Sequence, residues 1–247
     1  ECIKIAKKYG IGAVIVNNSS HAGSMASMAL RASRKGFFSF AFTHADSLMK
    51  AHNAKKTFFG TNPICFSAPR KNSEPYCLDM STTNISWNKL LNYRKTGKQL
   101  ENNIAANKKG LSTTIPNDAI SLFPIGGYKG FGLASMVEIL SGVQSGMKTT
   151  LDIPPMFTYD IKKKRKLGQF YMVMRVDGYL SKKEFYRSID NLYKKLYNLE
   201  TNKKILMPND PEIKTSKIRL KKGIPMDSEV YDSLKLLSKK FHISLKI

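Results

Sequence analysis

The chain has 247 residues, of which 42% are hydrophobic and 10% aromatic, a composition typical of a folded protein with a substantial core. Its 41 Lys and Arg residues against 18 Asp and Glu residues give a formal net charge of +23. The length predicts one large domain or two small ones, and the composition excludes global disorder. No stretch of about 18 uncharged apolar residues occurs, so we expect no transmembrane helix and no membrane partner.

The start of the chain indicates whether it is a fragment, and its cysteines indicate the redox state of its compartment. Glu1 opens a helix-like pattern with neither an initiator Met nor a signal peptide, so we expect the chain to be a fragment. The three cysteines, Cys2, Cys65 and Cys77, form no CxxC pair and offer no zinc framework. We therefore expect no metal, and a reducing, cytoplasmic location.

The first third of the chain alternates helix and strand patterns. In chain order these predict a helix ending at Gly10, a strand over 12–16, a helix over 22–35 and a strand over 37–43. Two strands joined by a helix within about 35 residues are typical of a βαβ crossover.

The remainder predicts further strands and a more helical end. The predicted elements are strands over 63–68, 76–80 and 169–176, helices over 84–96, from the glycine-rich 126–132 to about 140, from Ser181 onward and over 226–241, and a long surface loop over 97–121. Ser181 and Glu184 predict a capping box at the helix that follows them. The sequence thus predicts a mixed-sheet, layered α/β core over residues 1–177 and a helical C-terminal part over 178–247.

His21 is the first candidate for chemistry. It follows a predicted buried strand and precedes a helix, and ligand crevices form at such strand ends in α/β sheets. An imidazole can donate or accept a proton near neutral pH, whereas the alternative is a helix-capping or surface histidine. Neither a Rossmann fingerprint nor a P-loop is present, so an ordinary dinucleotide motif is excluded.

Three charged residues are further candidates, each with an alternative. Lys129 lies among the glycines of 126–132 at a helix start and could reach a phosphate or ribose, or the glycines could simply serve a turn. Arg165 could pair with a substrate carboxylate through two hydrogen bonds, or be a solvated arginine. Asp79 could hold a ribose hydroxyl or cap the following turn.

Taken together, the chain resembles the type 2 malate/L-lactate dehydrogenase family, which includes ureidoglycolate, sulfolactate and diketogulonate dehydrogenases. The matching stretches occur in the family's order over nearly the whole chain. They are Asn18–Gly23, Gly60–Ile64, Leu78–Thr82, Gly126–Leu133, Leu140–Val143 and Leu167–Phe170.

The resemblance implies a non-Rossmann nicotinamide-binding fold and an enzyme that transfers a hydride between NAD or NADP and a small 2-oxo or 2-hydroxy acid. It implies that His21 is the proton donor and acceptor, that Arg165 and the backbone of Ala45 bind the substrate, and that Lys129 binds the cofactor. It also implies cofactor contacts for Asp79, Met80 and Ser81, and a homodimer.

The resemblance has departures. The family's N-terminal segment, with a Ser-His-Gly stretch that lines the active site, has no match here, and residues 178–247 are expected to pack with such a segment. His44 stands where the family usually has Asn or a similar polar residue.

Two alternatives to an active dehydrogenase remain at this point. Residues 161–222 carry 18 Lys and Arg against 6 Asp and Glu, including the dense run of 162–166, which suggests a basic nucleic-acid-binding protein. No recognition motif accompanies these cations, and a solvated basic surface without a specific nucleic-acid partner is our expectation. The second alternative is a truncated, inactive relative that only binds the cofactor.

Overall fold

The computed structural model describes residues 1–156, 160 and 164–245. Two compact units make up the chain, Glu1–Pro208 and Asn209–Ile247. The predicted division after residue 177 into a cofactor-binding core and a helical part stays a prediction. Among the described residues there are two five-stranded sheets and seven α-helices, which confirms the predicted α/β class.

The first sheet provides the frame of the first unit. Its strands, in spatial order, are β1 (Ile11–Ser19), β10 (Leu167–Arg175), β2 (Phe37–Thr43), β5 (Ile64–Ala68) and β6 (Tyr76–Met80), and every neighbouring pair is antiparallel. β1 and β2 are therefore parallel to each other, as the predicted βαβ unit requires, but β10 lies between them. This late strand inserts at the centre of the sheet and carries residues from position 167 onward into the middle of the fold.

Helices cover one face of this sheet. α1 (Cys2–Tyr9) ends at Gly10, whose φ of 89° is the left-handed conformation that glycine adopts without strain. α2 (Ala26–Ser33) is shorter than the predicted 22–35. The two helices bury mostly small side chains against the strands, which lets the helix backbones approach the sheet closely. The buried side chains form two clusters: Ala6, Ala32, Phe37 and Val173 in one, and Met25, Ala29, Ala41, Cys65 and Cys77 in the other.

The opposite face of the sheet packs against the middle of the chain. α4 (Tyr128–Glu138) continues into a π-helical turn (Ile139–Val143). Val137 near the end of α4 packs against Phe42 and Phe170 of the sheet. The rings of Phe42 and Phe170 are stacked with centroids 5.7 Å apart. Apolar burial therefore fixes the position of α4 relative to β2 and β10.

The second sheet corrects one prediction. Its strands, in spatial order, are β4 (Thr57–Phe59), β3 (Met49–Lys50), β9 (Ser121–Leu122), β7 (Ala105–Ala106) and β8 (Ser112–Thr113), and β3 and β9 are parallel. Three of these strands lie within or at the edge of 97–121, so the prediction of a long surface loop there is wrong. Their Ala and Leu side chains share a core with Leu90 of α3 (Trp87–Thr96). Strands of two residues are too short to show an alternating pattern in sequence.

The remaining helices are α5 (Lys182–Tyr197) in the first unit, and α6 (Asp210–Lys222) and α7 (Ser228–Phe241) in the second. The predicted capping box is confirmed, because Ser181 Oγ accepts from the Glu184 N–H and the Glu184 carboxylate accepts from the Ser181 N–H. In the basic run, Lys162 and Lys163 lie outside the described residues, whereas Lys164 and Lys166 are exposed. Within the described part of the chain no helix is long and apolar enough to span a membrane.

Candidate functional site

His21 lies on the loop between β1 and α2, is exposed, and makes no hydrogen bond to the described residues. The loop itself is held by the amide of Gln169 on β10, which donates to Ser19 Oγ at 2.8 Å and to the Ser20 carbonyl at 3.4 Å. The Tyr171 hydroxyl donates to Gln169 Oε1 at 2.6 Å and so fixes which way the amide points. Burial raises the pKa of Tyr171, which keeps this donor protonated. The His21 imidazole thus has no hydrogen bond to the described residues, whereas the loop that carries it is held in place by Gln169.

Asp79 fastens the other end of the same loop. Its Oδ2 accepts from Ser24 Oγ at 2.9 Å and from the Ala26 N–H at 2.8 Å, at the first residue of α2. The N–H groups of a first helical turn have no partner within the helix, so this carboxylate caps α2 from a neighbouring strand. Asp79 therefore has a structural role at α2, and not at the turn that follows it. Its second oxygen, Oδ1, has no hydrogen bond to a described residue.

Met80 and Ser81 follow directly. Met80 ends β6 and is half-buried, while the Ser81 hydroxyl exchanges hydrogen bonds with Thr83, donating to its carbonyl at 3.2 Å and accepting from its Oγ1 at 3.1 Å. This stretch is ordered by its own hydrogen bonds next to the start of α4.

Lys129 lies in the first turn of α4 and is exposed. Gly126 and Gly127 precede the helix with φ of 58° and 64°, and a Cβ built on Gly127 would have no neighbour within 4 Å. Gly130, by contrast, packs so tightly that a Cβ would lie 2.8 Å from the Thr82 carbonyl oxygen. Gly126 and Gly127 thus form a turn with positive φ, and Gly130 permits a close approach between the first turn of α4 and the backbone of Thr82.

Arg165 is engaged rather than solvated. Its Nε donates to the Pro154 carbonyl at 3.1 Å, its Nη2 pairs with Asp46, and its side chain is only 10% exposed. The Ala45 N–H, next to Asp46 in the chain, donates to Asn62 Oδ1 at 3.2 Å. The ion pair thus links the predicted substrate-side arginine to the residue after Ala45.

Hydrogen bonds between neighbouring segments and the register of the first sheet bring the segments that carry the predicted site residues to one end of that sheet. Asp79 contacts Ser24, three residues after His21, and residues 82–83 after Ser81 contact the start of α4, with the Ile125 N–H 2.9 Å from the Thr82 carbonyl. The start of β10 joins the other side, because Arg165 precedes the strand and Gln169 lies within it. The site is assembled from loops that surround one end of the first sheet.

Sequence reasoning missed two residues of this arrangement. Gln169 lies within the family-like stretch Leu167–Phe170 without a predicted role of its own, and Asp46 lies in none of the predicted motifs. The signals that could have found them are a glutamine at the start of an otherwise apolar strand and an aspartate three residues after the end of a buried strand. Polar side chains at such positions must find partners when they are buried.

Comparisons with known proteins agree on one family. The chain matches the model described as malate/L-lactate dehydrogenase over residues 1–235. Ureidoglycolate dehydrogenase (NAD(+)) of Escherichia coli K12 is 28% identical over 236 residues, which cover 94% of this chain and 67% of that protein. (2R)-3-sulfolactate dehydrogenase (NADP(+)) of Chromohalobacter salexigens is 34% identical over 146 residues, 58% of this chain and 44% of that one. The structure of malate dehydrogenase from Entamoeba histolytica has a TM-score of 0.91 and 26% identity, and the match covers 100% of this chain and 73% of that one.

Proposed function

Because the chain belongs to the malate/L-lactate dehydrogenase family, we propose that it is an oxidoreductase that transfers a hydride between NAD or NADP and a small 2-oxo or 2-hydroxy acid. The family match over residues 1–235 is the observation that carries the proposal. The relatives' names support both cofactors, since one carries NAD(+) and another NADP(+). They support the dehydrogenase rather than a nucleic-acid-binding function for the basic residues.

The residues of the site suit the proposed reaction. NAD(P)H, when bound, supplies the hydride that reduces the carbonyl carbon. The alkoxide oxygen that results needs a proton, and we assign its donation to His21, whose exposed imidazole takes the proton back in the oxidation direction. Arg165, held by Asp46, has Nη1 without a hydrogen bond to the described residues and is assigned to the substrate carboxylate. The backbone of Ala45 completes the substrate side.

The cofactor side also fits its ligand. The open glycines before α4 and the exposed cation of Lys129 suit a phosphate group, because a helix start favours anions. Asp79 uses only Oδ2 on α2, so Oδ1 is available to a ribose hydroxyl. Met80 and Ser81 lie between these two groups in the chain and are assigned to the same cofactor.

Assembly and location complete the proposal. We propose a homodimer, supported by the edge strand β1, where Ile11 and Ile15 are 47% and 38% exposed. A cytoplasmic location is supported by Cys2, Cys65 and Cys77, which form no disulfide bond within the described part of the chain. Light scattering after size-exclusion chromatography tests the first, since a monomeric mass would contradict it. Fractionation of the source cells tests the second, since recovery outside the cytoplasm would contradict it.

The test is oxidation of NADH and NADPH with a panel of 2-oxo acids, with matched histidine variants. We expect His21→Ala to lower kcat by at least about 100-fold, the usual contribution of a general acid, while the Kd of the cofactor changes little. His242, an exposed histidine of the second unit, offers the control, and His242→Ala should keep full activity. Full activity of His21→Ala would remove this residue from the mechanism. Cofactor binding without turnover in the wild type would instead favour an inactive relative.

A further inference from the structure

A buried carboxylate outside the residues named so far joins the two sides of the site. Glu138, at the end of α4, is 3% exposed. Its Oε1 accepts from His44 Nδ1 at 3.1 Å and from the Thr150 N–H at 3.0 Å, and its Oε2 accepts from Asn62 Nδ2 at 2.8 Å. Among the described residues no Lys or Arg pairs with it. Such a group is expensive to bury, and apolar residues of similar size often give equal or greater stability, so its presence calls for a role beyond stability.

His44 carries the first connection from this carboxylate. Its Nε2 accepts from the Gly168 N–H at 2.8 Å, so Nε2 has no proton and Nδ1 must carry the hydrogen that is donated to Glu138. The partners thus assign the tautomer. The ring therefore connects Glu138 of α4 to Gly168 of β10. The next residue along β10 is Gln169, whose side chain holds the loop of His21.

Local backbone geometry is adapted to this ring. A Cβ on Gly142 would lie 2.8 Å from His44 Nδ1, and a Cβ on Gly168 would lie 1.8 Å from the Ser141 carbonyl oxygen, so only glycine fits at either position. The π-helical turn Ile139–Val143 begins directly after Glu138, and such turns are frequent at functional sites.

Asn62 carries the second connection. Its Nδ2 donates to Glu138 and to the Ala134 carbonyl, and its Oδ1 accepts from the Ala45 N–H. Ala45 precedes Asp46, the partner of Arg165. One carboxylate is therefore linked through Asn62 to the backbone of Ala45 on the proposed substrate side, and through His44, the Gly168 backbone and the Gln169 side chain to the loop of the proposed proton donor.

We propose that Glu138 is a positioning residue for this reaction, which fixes the segment of Ala45 and Arg165 relative to the loop of His21 through Asn62 and His44. The inference rests on the proposed function. Its physical basis is orientation, because a misplacement of about 1 Å between reacting groups can lower a rate by about 100-fold.

The test compares Glu138→Gln with a matched control. The glutamine can still accept from His44, but its amide nitrogen faces the Asn62 amide, donor against donor, and that connection is lost. The control is Ser67→Ala, which removes the hydrogen bond of another buried side chain, 2.7 Å to the Tyr76 carbonyl, toward the other end of the first sheet. Both variants are checked for folding by circular dichroism and thermal unfolding.

Two readouts separate the inference from the proposed function. In ¹⁵N-labelled protein, Glu138→Gln should shift the Ala45 amide and the Gln169 side-chain amide resonances, whereas Ser67→Ala should leave both in place. In kinetics, kcat should fall by at least about tenfold in Glu138→Gln, while the Kd of NAD(P)H, measured by its fluorescence, stays within about twofold.

Unmoved resonances, or shifted resonances with an unchanged kcat, would overturn the positioning role. An equal loss of kcat and cofactor affinity would do so too, because it indicates general damage. A wild type that reduces none of the 2-oxo acids would defeat the proposed function instead, and the resonances would still decide whether Glu138 couples the two segments.

Discussion

Asp79 allows stability and cofactor binding to be separated by substitution. Its Oδ2 receives two hydrogen bonds at the start of α2, from Ser24 Oγ and the Ala26 N–H. Loss of a helix-capping group typically costs about 0.5–2 kcal/mol, and a second charge-assisted bond places Asp79→Ala in the upper part of that range, at about 1–2 kcal/mol. For a chain of this size each kcal/mol lowers Tm by about 2–4 °C, so we expect a decrease of about 2–8 °C.

Asp79→Asn should behave differently. Its side-chain oxygen still accepts from α2, so the loss is limited to the favourable negative charge at the helix start, about 0.3–1 kcal/mol. Its nitrogen, however, takes the position of Oδ1 and cannot accept from a ribose hydroxyl. We therefore expect both variants to raise the Kd of NAD(P)H by about tenfold, which corresponds to about 1.4 kcal/mol.

Differential scanning calorimetry and fluorescence titration of the cofactor measure the two effects. The matched control is Glu74→Ala, which removes an exposed carboxylate paired with Arg34 at 2.9 Å, a surface ion pair worth at most about 1 kcal/mol. A Tm of Asp79→Ala no lower than that of Glu74→Ala would refute the capping argument. An unchanged Kd in Asp79→Asn would remove the ribose contact while leaving the cap intact.

Two further predictions concern the site and α5. Gln169→Glu keeps the acceptor for Tyr171 but loses the donors to residues 19 and 20, so steady-state kinetics should show kcat lowered by about tenfold; an unchanged kcat would contradict the role of Gln169. The Ser181 hydroxyl and N–H lower the pKa of Glu184 below its ordinary value, so the stabilisation by Glu184 is present above that value and lost as the pH falls through the folded pKa. Between about pH 5 and about pH 3 the wild type should therefore lose more Tm than Glu184→Gln, and parallel curves would contradict this.

Local patterns predict elements well where they are long or marked by specific residues. The strand over 37–43, the stop at Gly10 and the capping box of α5 are all found in the structure. The two-residue strands of the second sheet were missed, because pairing with distant residues and not any local pattern makes them strands. The insertion of β10 between β1 and β2 also depends on the whole chain, because no local sequence pattern near position 170 predicts which strands β10 pairs with.

The candidate site divides in the same way. Residues proposed to face a ligand, such as His21 and Lys129, are visible in sequence because their chemistry is specific and their flanking turns are rich in Gly, Asn and Ser. Glu138 is not visible, because a single glutamate in a helix is ordinarily a solvent-facing residue, and only its burial beside His44 and Asn62 shows otherwise. The one local sign of a buried Glu138 is that it is a carboxylate in the otherwise apolar helix 130–143. A charged side chain on such a helix lies either on the exposed face or in the interior with hydrogen-bond partners. The groups proposed to position the candidate site residues therefore emerge only when distant segments meet, and substitutions at Glu138 and Gln169 test the arrangement of the site more directly than substitutions of the residues proposed to contact the ligand.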